Sequence, residues 1–279
     1  MPELPEVEIT ARLLGRALKG APIESALAPG INALKTFDPP LSQLEGEQIL
    51  GVSRRGKQLI VEVSGELVLL IHLMSAGRLQ LYEKRAGPRD RTSRLLVRLA
   101  EGRELRLREF GSKQAAWVKL LAASDLPDAL ATLGPEAWPD PPALAELLDA
   151  PRPLHTLLRD QHTMAGIGRS WVDEILWEAR LSPYKRGADL EAGEAELLRG
   201  ALVQTLGRAI GHYEEAITLP IPDKLPMPLL VHRHQGEPCP RCARRLEAVH
   251  FEDYVIAYCP DCQTEGRELK DRRLSRLLR

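Results

Sequence analysis

The sequence predicts an α+β chain, and three observations carry that reading. An amphipathic helical start is followed by short β-branched and apolar runs between residues 48 and 122. A helical stretch then covers residues 154–215, and all four cysteines fall after residue 238 in two C-x-x-C pairs. With 279 residues and 44% hydrophobic content the chain can bury a sizeable core, and length alone fits about two domains.

The first element opens with PELPEVEIT at residues 2–10. Pro5, Glu6 and Glu8 suit the first turn of a helix, where proline loses no hydrogen bond and carboxylates face the positive end of the helix dipole. From residue 6 to about 18, Val7, Ile9, Leu13, Leu14 and Leu18 lie near one helical face. Helix-start chemistry does not explain Pro2. Removal of Met1, usual before a small residue, would leave Pro2 as the N-terminus, a free secondary amine with the Glu3 carboxylate beside it.

The runs QLIVEV, ELVLLIHL, RLLVRL, ELRLREF and AAWVKLL, separated by glycine-containing turns, predict antiparallel strands. The proline- and acid-rich stretch at residues 133–153 marks a seam before the helices. Within those helices AGIG, residues 165–168, predicts a tight turn in which Gly166 and Gly168 let backbone amides approach an anion, with the next helix starting near Arg169. A plain helix connector is the competing reading of two such glycines. A second proline-rich link, residues 219–228, leads to the tail. The boundaries therefore read as 1–134, 135–228 and 229–279.

In the tail, Cys239 and Cys242 form one C-x-x-C and Cys259 and Cys262 another, sixteen residues apart. That spacing predicts a single structural zinc ion held by four thiolates. His232, His234 and His250 lie nearby, but four sulfurs complete a tetrahedron, so they read as surface or packing residues. KDRRLSRLLR at residues 270–279 is a basic run that reads either as a solvated tail or, beside a zinc knuckle, as a phosphate contact.

No apolar run is long enough for a membrane span and no secretory signal opens the chain. The expectation is a cytoplasmic, nucleoid-associated bacterial monomer without membrane contact. A formal net charge of −1 argues against bulk attraction to a polyanion, so a nucleic-acid surface must be a local patch.

PELPEVE, RRGK at residues 54–57, LGPE at 133–136, the AGIG…DE turn and the C-x2-C-x16-C-x2-C tail occur in this order along the whole chain. Together they closely resemble the formamidopyrimidine-DNA glycosylase and endonuclease VIII family of base-excision repair enzymes. The resemblance implies an N-terminal helix on an antiparallel β-sandwich, a helix-two-turn-helix domain, a zinc finger, and damaged DNA as partner. It implies base removal followed by strand cleavage, with Pro2 as nucleophile, Glu3 as acid/base and Lys57 on a phosphate beside the lesion. Met74, which aligns only across a one-residue gap, Arg108 and Phe110 are the candidates the resemblance implies for filling the gap left by a flipped nucleotide.

The sequence also departs from the family pattern. Arg169 stands where an asparagine is usual, His155 where a lysine is common, Glu109 where a second arginine is usual, and Tyr254 where the finger carries an arginine. The chain between residues 216 and 230 is short and proline-rich, without the glycine-rich loop that covers 8-oxoguanine in one branch; weak excision of that base is the expectation. Two readings follow: a bifunctional glycosylase and AP lyase, or a module that binds lesions or abasic sites with weak or no catalysis. Retention of Pro2, Glu3 and Lys57 favours the enzyme, since a binder has no use for a free secondary amine beside a carboxylate.

Overall fold

A computed structural model of the chain describes residues 2–30, 32–87, 90–110, 114–251 and 254–270. Met1, Glu252, Asp253 and residues 271–279 of the basic run lie outside the described residues. The chain divides into two compact units, Met1–Thr132 with Ile210–Pro226, and Leu133–Ala209 with Met227–Arg279.

In the first unit, α1 (Leu4–Leu18) begins two residues before the expected start, because Glu3 rather than a later residue is its N-cap. Leu4, Val7, Ala11, Leu14 and Leu18 recur at steps of three and four and are buried, which is the apolar stripe a helix needs to pack. The strands are β1 (Ile23–Leu27), β2 (Ile49–Arg55), β3 (Gln58–Val63), β4 (Leu67–His72), β5 (Gly77–Tyr82), β6 (Ser93–Leu99), β7 (Glu104–Glu109) and β8 (Trp117–Ala122). They form two antiparallel sheets ordered β1-β6-β7-β5 and β2-β3-β4-β8. All five expected runs are strands; β1, β2 and β5 lie outside those runs, since Glu24 and Ser25, Arg54 and Arg55, and Arg78 and Gln80 respectively interrupt their apolar pattern.

The central strands β3 and β4 are buried on both faces. Register pairs Leu59 with Ile71 and Val61 with Leu69, while the alternate residues Ile60, Val68 and Leu70 join Leu121 in a second cluster covered by Leu126, Ala129 and Leu130 of α2 (Leu126–Leu130). This explains why LVLLIH reads as a continuous apolar run rather than an alternating one.

The second unit holds α3 (Leu144–Leu147), α4 (Leu154–Arg159), α5 (Arg169–Glu178) and most of α6 (Ala192–Ala216), followed by the hairpin β9 (Glu247–His250) and β10 (Val255–Tyr258) and the short α7 (Pro260–Gln263). The LGPE segment lies against the turn before α5: Ala165 N–H donates to Pro135 O at 2.8 Å and Ala137 N–H to Ala165 O at 3.1 Å. Gly134 is required there by space. A Cβ at this position would sit 2.4 Å from His162 O and 2.6 Å from the Thr163 carbonyl.

Those atoms are backbone and cannot rotate away, so Gly134→Ala is expected to destabilise the protein by roughly 2–3 kcal/mol, an overpacking cost. Urea denaturation followed by tryptophan fluorescence measures it; a loss below experimental error would show that the two segments can separate freely.

Candidate active site

The amino-terminal residues are buried rather than frayed. Pro2 is buried, Glu3 is 1% exposed and Glu6 4%. Glu3 and Glu6 form a reciprocal capping box, in which the Glu3 side chain takes the Glu6 N–H and Glu3 N–H donates to Glu6 Oε2 at 2.8 Å. Two donors at the helix start are thereby satisfied. Glu6 Oε1 accepts the Tyr213 hydroxyl at 2.7 Å from the end of α6, 207 residues away.

Glu8, also in the opening motif, accepts from Arg12 Nε and from Arg54 Nε, each at 2.6 Å. Arg54 is the first residue of RRGK and is nearly buried at this ion pair, which anchors to α1 the hairpin that carries Lys57. The turn itself is Gly56-Lys57, closed by the Arg55–Gln58 pair, with Gly56 at φ +55°. Lys57 is 8% exposed.

Beyond the hairpin, His72 ends β4 and stacks on Trp117 at 5.6 Å. Burial and the Lys57 ammonium push its imidazole down to about 4, so the ring is neutral at pH 7 and its Nδ1 accepts Met74 N–H at 2.9 Å. Met74 adopts a left-handed backbone, φ +49°, a conformation that costs about 1–3 kcal/mol outside glycine. The His72 bond offsets part of that cost.

Two of the three candidate gap-fillers, Arg108 and Phe110, come to one end of the β5–β7 ladder: Arg78 pairs with Arg108, Gly77 with Glu109, and Phe110 N–H donates to Ala76 O at 3.5 Å. Arg108 is folded against its own sheet, donating to the Tyr82 hydroxyl at 2.7 Å and Thr92 Oγ1 at 3.0 Å, with its guanidinium 4.5 Å from the Phe110 ring. Glu109 is buried, and its Oε1 accepts Ala115 N–H at 2.7 Å and Ala116 N–H at 3.0 Å. Glu109 thus ties the chain after β7 back to the end of that strand.

In the second unit, Gly166 (φ +109°) and Gly168 shape the turn and Gly168 N-caps α5. Gln161 holds this turn from within: its Oε1 accepts Gly166 N–H at 3.0 Å and its Nε2 donates to Ile167 O at 2.8 Å. The Gly166 amide is therefore engaged, and this glycine contributes conformation. Arg169 begins α5 with its guanidinium 5.1 Å from the Tyr254 ring; Arg159 lies 4.3 Å from the same ring. Tyr254 also stacks on Phe251 at 4.5 Å and His155 at 6.0 Å. Three of the departures noted in sequence, His155, Arg169 and Tyr254, are thus one cluster.

The acid pair after the turn is structural. Glu174 accepts Leu230, Val231 and His232 N–H at 3.0, 2.9 and 2.8 Å, although burial pushes its carboxyl up. Asp173 Oδ2 accepts Ala257 N–H at 2.9 Å and lies 2.7 Å from His232 Nδ1. Of the two readings given to His232, surface or packing, the second holds: it is 5% exposed and paired with a fully buried carboxylate.

Cys239, Cys242, Cys259 and Cys262 bring their Sγ atoms within 4.8 Å of one another, with close pairs at 3.4, 3.5 and 3.9 Å and no disulfide. Sulfurs bound tetrahedrally to a metal at about 2.3 Å would lie about 3.8 Å apart. Burial opposes ionisation of Cys239, but N–H groups of Arg241 and Cys242 and the Trp177 indole N–H, 3.3 Å away, bring its thiol down to about 7. The cluster can hold one metal ion, and it packs with Trp177 of α5 and with Val231 and Leu246.

Family models described as the formamidopyrimidine-DNA glycosylase N-terminal domain and H2TH domain match residues 1–112 and 133–220. A protein named formamidopyrimidine-DNA glycosylase from Moorella thermoacetica is 34% identical over 263 residues, covering 89% of this chain and 94% of its own length. The chain belongs to the formamidopyrimidine-DNA glycosylase family. One of that name from Thermus thermophilus is 34% identical over 280 residues, covering 95% of this chain and all of its own. The crystal structure of the Lactococcus lactis glycosylase with N7-benzyl-Fapy-dG containing DNA superposes with a TM-score of 0.83 at 29% identity, covering 94% of this chain and 100% of that one.

Within this glycosylase fold, sequence reasoning missed His72, Tyr213 and the bolting role of the DE pair. Only the last left a signal, two acids between Val172 and Ile175 in an apolar run. His72 generates a pH dependence. Its folded-state value near 4 lies below the ordinary 6.5, so its contribution is fully present above pH 6.5 and is lost as pH falls through 4, up to roughly 3 kcal/mol. Gln at this position can accept the Met74 N–H without titrating. The stability gap between wild type and His72→Gln, from urea melts at pH 7 and pH 4, is expected to shift toward the variant at low pH; a constant gap would contradict the assignment.

Proposed function

We propose that this chain is a bifunctional DNA glycosylase and AP lyase acting on oxidised or otherwise damaged bases, with Pro2 as nucleophile. The observation that carries the reading is the buried, doubly anchored amino terminus: Pro2 precedes a capped helix whose Glu6 is held by Tyr213 and whose Glu8 is bound to the Lys57 hairpin. Damaged DNA as the partner is supported by the family and by the DNA-bound Lactococcus lactis glycosylase.

An α-amino group titrates near 7.7–8.0, well below lysine, so a usable fraction is unprotonated at neutral pH. Its lone pair attacks C1′ of the damaged nucleotide; the new N–C1′ bond forms as the glycosidic bond breaks and the base departs. Glu3 handles the proton transfers and the opening of the sugar ring. A secondary amine can yield only a cationic iminium, which draws electrons so that a C2′ proton is lost and the C3′–O bond to phosphate breaks. Water then hydrolyses the iminium and returns Pro2.

Lys57 is assigned to a phosphate flanking the lesion. Met74, Arg108 and Phe110 are assigned to the gap left by the flipped nucleotide, whose extrusion costs a few kcal/mol. For Arg108 this requires release from Tyr82 and Thr92. Arg169, with Gly166 and Gly168 shaping its turn, is assigned to a phosphate. The residues Cys239, Cys242, Cys259 and Cys262 would hold one zinc ion, which supplies structure to the finger.

The finger is tied to α5 by the cysteine cluster and the Glu174 bonds, so zinc loss is expected to abolish DNA binding while the first unit stays folded. Metal analysis of purified protein and filter binding after chelation test this; metal-free protein that binds damaged DNA normally would refute it. A module that binds without catalysis is separated by incubation with abasic DNA and borohydride. A tag in front of Pro2 turns its amine into an amide whose lone pair is held in resonance. Tagged protein is expected to lose trapping and strand cleavage and to keep its fold and most DNA affinity. A covalent mark on Lys57 or another lysine, or equal cleavage by tagged protein, would sink the assignment.

A further inference from the structure

We infer that Tyr213 is a positioning residue for the chemistry at Pro2, acting through Glu6; the inference rests on the reading of Pro2 as nucleophile. Tyr213 is fully buried on the face of α6 that also carries Leu202, Leu206, Ala209 and Ile210. The chain after it is fixed to β5, where Gln80 Nε2 donates to Ile221 O at 2.6 Å and Arg78 Nε to Asp223 O at 2.5 Å. The hydroxyl therefore meets Glu6 from a rigid platform.

The carboxylate of Glu6 divides its oxygens: Oε1 accepts Tyr213 O–H at 2.7 Å and Oε2 accepts Glu3 N–H at 2.8 Å. Rotation about the last bond of a glutamate is soft, so a carboxylate held at one oxygen still swings, whereas one held at both is fixed. The N–H it holds belongs to the planar peptide that joins Pro2 to Glu3. Fixing that plane leaves a single soft dihedral, ψ of Pro2, between the held peptide and the reacting nitrogen. Tyr213 thereby sets the direction of a group it does not touch.

The donor is constant. Burial, with the Glu6 charge beside it, pushes the Tyr213 hydroxyl up from its ordinary value, so it stays protonated wherever the enzyme works. Thr10 Oγ1 bonds the backbone carbonyl of Glu6 at 2.8 Å and does not compete for the carboxylate. Arg78 acts on Glu6 through space, and it donates to Gly77 O as well as Asp223 O.

The test compares full-length untagged wild type with Tyr213→Phe, Glu6→Gln and the double variant. Phenylalanine keeps the ring packing and removes only the hydroxyl. Three quantities are read: the single-turnover rate of borohydride trapping on an abasic duplex, the Kd for that duplex without borohydride, and hydrogen exchange of the Glu3 amide by NMR. Tyr213→Phe is expected to slow trapping about tenfold, as a sub-ångström misplacement of a reacting group does, with Kd unchanged and the Glu3 amide exchanging faster. The double variant should trap no more slowly than Glu6→Gln alone, because both act through one carboxylate. Wild-type trapping by Tyr213→Phe, a weakened Kd with an unaltered rate, or rate losses that multiply in the double variant would each overturn the inference. Should wild-type protein trap through a lysine, the nucleophile assignment fails by itself; the Glu3 exchange rate still decides whether Tyr213 holds this peptide.

Discussion

The first unit depends on overcoming the mobility of a chain terminus. The first residues of a chain usually fray because few groups pair their backbone. Here the first turn of α1 is held from two directions. Glu6 closes the capping box and reaches Tyr213, and Glu8 reaches Arg54. An N-cap bond is worth about 1 kcal/mol and a bond to a charged group about 1.5–3, and together they offset part of the ordering entropy of roughly 1–2 kcal/mol per residue. The glutamates of the opening motif thus serve as helix starters and as tethers.

The second unit solves a different problem, because a four-cysteine knuckle is too small to supply its own core. Its apolar surface is completed by Trp177 of α5, which also donates to Cys239 and carries Arg241 on its ring. The polar half of the junction is the Asp173–Glu174 pair. Glu174 takes three consecutive N–H groups of the segment entering the finger, and Asp173 takes one from β10. Removing one such partner would leave a buried group unsatisfied, at a cost of about 1–3 kcal/mol.

The family departures become intelligible as sets rather than as single changes. Tyr254 is flanked by Arg159, Arg169, His155 and Phe251, so the unusual residue in the finger and the unusual residues in α4 and α5 are mutual neighbours. A guanidinium over an aromatic face is stabilised by the ring quadrupole, and an aromatic in the finger suits an arginine at the helix start. Glu109 is explained by the two backbone donors that it satisfies.

What the sequence determined by itself was local or periodic. The cysteine spacing specified the metal knuckle, since four ligands on two short turns need no distant partner to be recognised. Apolar runs located five strands, and the proline–glutamate opening located α1. The tertiary structure alone decided which charges are fasteners. Glu6 and Tyr213 are 207 residues apart, Glu8 and Arg54 are 46 apart, and Asp173 and Ala257 are 84 apart. Contacts over such separations impose no period on the chain, and a carboxylate bound to one distant donor is spelled the same way as a solvated one. Only burial, which depends on every neighbour at once, tells them apart.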